Sequence, residues 1–310
     1  MSAAGVGFGG SMTALATPFR NDRVDEAGFV RLCERQIASG TTGLVVCGST
    51  GEAAALGGDE QAVVIRLAVD AARGRVPVIV GCGGLSTEAA ASVAGVAATC
   101  GATALLCAPT PYVKPSQEGI IAHMRMLAQV SGLKLIAYDV PGRVGVAIRD
   151  ETAARLFEAG LAVGIKDATA DLGRPPRLRA LCGAEFVQLT GDDATAAAYR
   201  AAGGHGCISV TANVTPALCA ALQAAWDSGD LTSFGRWRDL LAPLHDALFA
   251  ETNPVPLKAA LEILGLATGE VRLPLLRAAE ATKDRLAAIL GQVMGHEERM
   301  ASRPRYALAS

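Results

Sequence analysis

Short apolar runs alternate with longer amphipathic stretches along most of the chain. The short runs cover 12–16, 43–47, 76–81, 104–108, 133–138, 162–166, 186–190 and 206–210. They are too short for helices and apolar nearly throughout, which is the pattern of strands buried on both faces. Between them, 26–39, 59–73, 88–100, 117–130 and 150–158 carry apolar residues at helical spacing. Buried strands separated by helices make a parallel sheet covered on both sides, and about eight such units over roughly 210 residues are enough to close it. The expected fold is α/β, a (β/α)8 TIM barrel. A doubly wound open sheet is the alternative, since it uses the same units and differs in strand number. From about 215 the pattern is helical, broken by Pro243, Pro254, Pro256 and Pro274, with no strand-like run. This predicts a catalytic barrel over 1–225, a C-terminal helical region over 226–295, and a polar tail, 296–310, that is a candidate for disorder.

The chain has 310 residues, 51% of them hydrophobic, so a large core can form. Its net charge of -2 comes from scattered charges, which argues against a nucleic-acid face or an anionic-membrane patch. The expected partner is a small molecule. None of the eight cysteines forms a C-x-x-C pair, and Cys47, Cys82, Cys107 and Cys207 fall in or beside strand-like runs. They read as reduced core residues of a cytoplasmic protein. The first ten residues lack the basic and apolar regions of a signal peptide, and no apolar segment approaches membrane-spanning length.

In such barrels chemistry gathers at the C-terminal strand ends. The sixth run ends on Lys166, a charged side chain closing an apolar strand. A buried ammonium must find a carboxylate or give up its proton, and a neutral amine attacks carbonyls. Tyr138 ends the preceding run, so parallel neighbours would set a phenol beside that amine. The structural alternative is a lysine that snorkels into solvent. After the second run, Gly48-Ser49-Thr50-Gly51-Glu52 sets two hydroxyls between glycines, which suits either an anion cradle or an ordinary turn. Glu52 reads as a structural partner for amides or a nearby base. After the fourth run, Pro109-Thr110-Pro111-Tyr112 presents a phenol, and after the fifth Pro141-Gly142-Arg143 presents a guanidinium suited to a carboxylate. Gly191-Asp192-Asp193 ends the seventh run, with both acids expected to cap the next helix, and Ile208-Ser209-Val210 ends the eighth. Gly81-Cys82-Gly83-Gly84 reads as a tight turn. His123, His205, His245 and His296 are dispersed, so no metal site is expected.

These residues resemble the dihydrodipicolinate synthase and N-acetylneuraminate lyase superfamily of Schiff-base barrels over about 8–290. The resemblance rests on Gly-Ser-Thr-Gly-Glu at 48–52, Tyr-Asp-Val-Pro-Gly-Arg at 138–143, Gly-Ile-Lys-Asp-Ala-Thr at 164–169 and Gly-Cys-Ile-Ser-Val-Thr-Ala-Asn at 206–213. The loop from Thr110 to Gly119 and the presence of Arg143 make the chain most similar to the synthase branch. The resemblance implies a lyase that condenses pyruvate with L-aspartate-4-semialdehyde in lysine and diaminopimelate biosynthesis. It needs no cofactor beyond a covalent imine at Lys166. It also implies that Tyr138 moves protons, that Ser49 and Tyr112 extend the relay, and that Tyr112 enters a neighbouring subunit's site within a homotetramer. Thr50, Ile208 and Gly191 would line the pyruvate subsite, and Arg143 would hold the second carboxylate. Three positions depart from the branch: Ser49 is commonly threonine, Asp139 commonly asparagine and Asp167 commonly glutamate. Two other readings therefore stay open: a pyruvate-dependent aldolase or dehydratase for a sugar acid, and a non-catalytic 2-oxo-acid-binding paralogue. Where lysine-regulated relatives carry serine, two histidines, asparagine, glutamate and tyrosine, this chain has Ala53, Gly58, Gln61, Leu85, Ala89 and Pro111, which implies insensitivity to lysine.

Overall fold

The structure, a computed structural model, describes residues 7–302. Eight parallel strands form a closed barrel: β1 (Gly10–Ala14), β2 (Gly43–Val46), β3 (Val78–Cys82), β4 (Ala104–Cys107), β5 (Lys134–Asp139), β6 (Ala162–Asp167), β7 (Val187–Thr190) and β8 (Gly206–Ser209). Each strand pairs with its neighbours in sequence, and β1 closes the ring by pairing with both β2 and β8. The expected runs and the observed strands differ only at their ends, and the (β/α)8 barrel replaces the open-sheet alternative. All eight C-terminal ends share one rim.

Side chains alternate across the sheet. Met12, Val45, Ile79, Leu106, Ile136, Leu189 and Ile208 fill the barrel, while Leu44, Val46, Val80, Leu105, Leu135 and Ile165 pack outward on the helices. The alternation breaks once in β6. Leu135 of β5 pairs with Ala162, but the next residue, Ile136, pairs with Gly164, so Val163 is extra. A bulge of this kind reverses the facing of every later residue. Strict alternation from the outward Ala162 would turn Lys166 outward; the bulge returns it to the inward set that holds Tyr138.

Two features lay outside the sequence pattern. Phe19–Arg20 and Arg23–Val24 form a small antiparallel hairpin after β1. Its turn, Asn21-Asp22, has φ of 54° and 59°, a left-handed pair that suits a tight hairpin. Pro243, expected as a break, lies inside the helix Leu231–Ala247 without ending it. One lost hydrogen bond is outweighed there by burial of Leu241 and Leu244 on either side.

The helices Leu231–Ala247, Val255–Ile263 and Glu280–Ala301 follow the last barrel helix, Pro216–Asp227. The tail expected from 296 begins inside the last of these, which continues to Ala301 because Leu286, Leu290, Val293 and Glu297 keep one face buried. Glu297 accepts the Ala217 and Leu218 amides, each at 2.9 Å, and so satisfies orphan donors in the first turn of Pro216–Asp227. Burial pushes its carboxyl up while these amides pull it down. Residues 303–310 of the expected tail lie outside the described residues.

Candidate active site

Tyr138 and Lys166 are register partners across β5 and β6. The Lys166 ammonium nitrogen stands 4.4 Å from the Tyr138 ring centroid, and the lysine is only 6% exposed. No carboxylate forms an ion pair with Lys166 among the described residues. The lysine therefore does not snorkel into solvent. Gly191, at the end of β7, makes room for its stem: a Cβ there would stand 2.5 Å from Lys166 Cε. Ile208 is buried in the barrel interior, on the strand after β7.

The loop after β2, the candidate anion cradle, forms a tight turn at the same rim. The Gly51 amide donates to Gly48 O at 3.1 Å and the Glu52 amide to Ser49 O at 3.1 Å, which closes a tight turn. Among the described residues no protein acceptor takes the amides of Ser49 or Thr50, so both stay available to a ligand. Glu52 adopts a left-handed φ of 51°. Its carboxylate accepts the Arg272 amide at 3.0 Å and pairs with the ammonium of Lys258, which is 1% exposed. Glu52 is thus the structural partner the sequence suggested, with its base supplied from the C-terminal region. Burial lowers Lys258 to about 8, against the opposing pull of Glu52.

Thr50 and Arg143 are joined through Asn253. The Asn253 side-chain amide donates to Thr50 Oγ1 at 3.0 Å, and Arg143 donates to the Asn253 carbonyl at 3.2 Å. Tyr112 stands apart at 91% exposure, with a left-handed φ of 72°. Ser49 is also exposed. Among the described residues no hydrogen bond joins the hydroxyls of Tyr138, Ser49 and Tyr112, so the expected relay is not continuous within one chain. No group of three or more metal-ligating side chains is found among them either.

The dihydrodipicolinate synthetase family model matches residues 7–293. This chain belongs to that family. It is 50% identical over 283 residues to the 4-hydroxy-tetrahydrodipicolinate synthase of Rhodospirillum centenum, covering 91% of this chain and 97% of that protein. The corresponding synthase of Parvibaculum lavamentivorans is 50% identical over 279 residues, covering 90% and 96%. Among solved structures, the dihydrodipicolinate synthase of Thermotoga maritima superposes with a TM-score of 0.89 at 37% identity, covering 92% of this chain and 98% of that one. The pyruvate complex of the Acinetobacter baumannii synthase superposes equally well, at 0.89 and 38% identity, covering 93% and 99%.

On this dihydrodipicolinate synthetase barrel, the two aspartates after β7 divide their work. Asp192 accepts the Ala194 amide and the Thr195 hydroxyl, as a local cap. Asp193 turns away to β8, where it accepts the Ser209 hydroxyl and the amides of Val210 and Thr211, at 2.8 and 3.1 Å. It shapes the loop after Ile208 instead of capping its own helix. Sequence reasoning also passed over Lys258, Asn253 and Arg174. Lys258 pairs with Glu52, Asn253 with Thr50 and Arg174 with Asp139 across long stretches of chain, so no local spacing marks those pairings. The Asn-Pro and Pro-Leu-Lys run at 253–258 was the available signal for the first two, since a lysine in an apolar helix start needs a counter-charge.

Proposed function

We propose that this chain condenses pyruvate with L-aspartate-4-semialdehyde to give 4-hydroxy-tetrahydrodipicolinate, in lysine and diaminopimelate biosynthesis. The observation that carries the chemistry is the buried Lys166 amine against Tyr138 at the C-terminal rim, in a chain half identical to named synthases. The Lys166 amine attacks C2 of pyruvate, and the carbinolamine loses its oxygen as water after protonation through Tyr138. Loss of a C3 proton from the imine gives an enamine, which attacks the aldehyde carbon of the semialdehyde. The new alkoxide is protonated, and the semialdehyde's own amine then displaces Lys166 from C2 and closes the ring. The free Ser49 and Thr50 amides suit the pyruvate carboxylate, with Gly191 and Ile208 lining that end, and Arg143 suits the carboxylate of the second substrate.

Chemistry of this kind needs no cofactor besides the lysine. The exposed Tyr112 suits a role completed by a second copy of the chain, in a homotetramer built from dimers. A cytoplasmic setting fits eight cysteines that are all free thiols. No helix among the described residues is long and apolar enough to cross a membrane. The direct test offers pyruvate with aspartate semialdehyde, and in parallel with N-acetylmannosamine and small sugar aldehydes. Rapid consumption of the semialdehyde alone is the expected result; preference for a sugar aldehyde would place the chain with the sugar-acid enzymes.

A further inference from the structure

One step beyond Tyr138 and Lys166, the register pairs Asp139 with Asp167. Successive residues of a strand face opposite ways, so this second pair lies on the outer face of the barrel, directly behind the reacting pair. Both carboxylates are fully buried, at 0% and 1% exposure. Like charges directly opposite each other on neighbouring strands repel, and burial strengthens the repulsion. A single guanidinium answers both. Arg174, itself buried, places Nη1 2.6 Å from Asp139 and 3.2 Å from Asp167. Its Nε reaches Asp150 at 2.9 Å, and its Nη2 donates to the Ile148 carbonyl at 2.6 Å. The two aspartates in turn hold the chain leaving each strand: Asp139 accepts the Ile148 amide at 3.0 Å, and Asp167 accepts the Thr169 amide at 2.9 Å and hydroxyl at 2.7 Å.

We infer that Arg174 is a positioning residue for the reaction: by neutralising the Asp139 and Asp167 carboxylates from behind, it holds the ends of β5 and β6 at the spacing that sets Tyr138 against Lys166. This rests on the roles proposed above for that pair. The guanidinium touches no substrate. Without it, two adjacent buried anions would push the strand ends apart at the level where the phenol and amine must stay together. A shift of about an ångström at a reacting pair is enough to cost one to two orders of magnitude in rate.

The test compares wild type, Arg174→Gln and the double variant Arg174→Gln/Asp139→Asn. The expected result is a kcat lowered about tenfold or more in Arg174→Gln, with KM for pyruvate within about twofold of wild type, since the cradle after β2 is untouched. Removing one of the two facing charges in the double variant should restore most of the lost kcat. A merely structural role would lower the melting temperature without this charge-specific recovery. If Arg174→Gln does not fold, Arg174→Lys replaces it, with an expected loss in kcat of about threefold or more, because an ammonium cannot span the same acceptors. Unchanged kcat in a folded single variant, or a double variant no faster than Arg174→Gln, overturns the inference. Borohydride trapping of pyruvate on wild type separates the layers: no adduct at Lys166 refutes the underlying mechanism, whereas a normal adduct with unaffected variants refutes only the role of Arg174.

Discussion

Lys258 reaches out of the C-terminal helices to form a buried ion pair with Glu52, the last residue of the cradle loop. A helical region outside the eight-stranded ring thus holds the turn that carries the free Ser49 and Thr50 amides. Replacing Glu52 by glutamine leaves an ammonium buried without a counter-charge, a loss of about 3–5 kcal/mol for pairs of this kind. Burial depresses Lys258 to about 8 from an ordinary 10.5, so its charge costs stability below that pH and the cost is relieved as pH rises through the interval. Losing Glu52 pushes Lys258 lower still, so Glu52→Gln should destabilise most well below pH 8 and progressively less as pH rises towards 8, with KM for pyruvate raised more than kcat is lowered. Denaturant unfolding at two pH values checks this. A pH-independent or negligible loss would show that the pair does not hold the loop.

Tyr138→Phe removes one proton-carrying oxygen and keeps the ring that packs beside the Lys166 amine. The expected loss in kcat is about 10²-fold or more, the usual scale for a positioned acid–base group. KM for pyruvate should move less. Steady-state kinetics with both substrates decide the point, and an unaltered kcat would assign the proton to another group.

Among the described residues no hydrogen bond joins Tyr112 to another site residue, and it stands almost wholly exposed. If it completes a neighbour's relay, mixing inactive Tyr112→Phe chains with inactive Lys166→Ala chains should recover activity in mixed assemblies. Recovery is measured after subunit exchange has been verified by mass spectrometry. Exchange without recovery would return Tyr112 to its own subunit.

L-Lysine should not inhibit. Where regulated relatives carry polar side chains, Leu85 exposes an apolar one and the Gln61 amide is committed to the Ala53 carbonyl at 3.0 Å. Absence of the usual glutamate and asparagine removes contacts worth roughly 1–3 kcal/mol each, together about a hundredfold in affinity. Titration at subsaturating pyruvate tests this, and half-inhibition below about 1 mM, a ΔG near the -4.1 kcal/mol scale of millimolar binding, would imply a site built from other residues.

The barrel was legible because each strand is buried on both faces and so reads as an apolar run, closed by glycine, proline or a polar residue. Lys166 was legible for the same reason, as the charge such a run should not contain. What turns it inward was not: the bulge at Val163 depends on pairing with β5, which the sequence of β6 alone does not express. Asp193 could be read only as a local cap, since its true partners, Ser209 to Thr211, belong to another strand's loop. Arg174 and Lys258 escaped notice likewise. Two of their charged partners, Asp139 for Arg174 and Glu52 for Lys258, lie 35 and more residues away and are brought near only by closure of the barrel.

Lys166 is the residue proposed to form the imine. Sodium borohydride added to the protein with pyruvate, followed by peptide mapping, should find one reduced pyruvyl adduct per chain, on Lys166, and none in Lys166→Ala. An adduct on Lys258 or any other lysine, or no pyruvate-dependent adduct at all, would contradict the account.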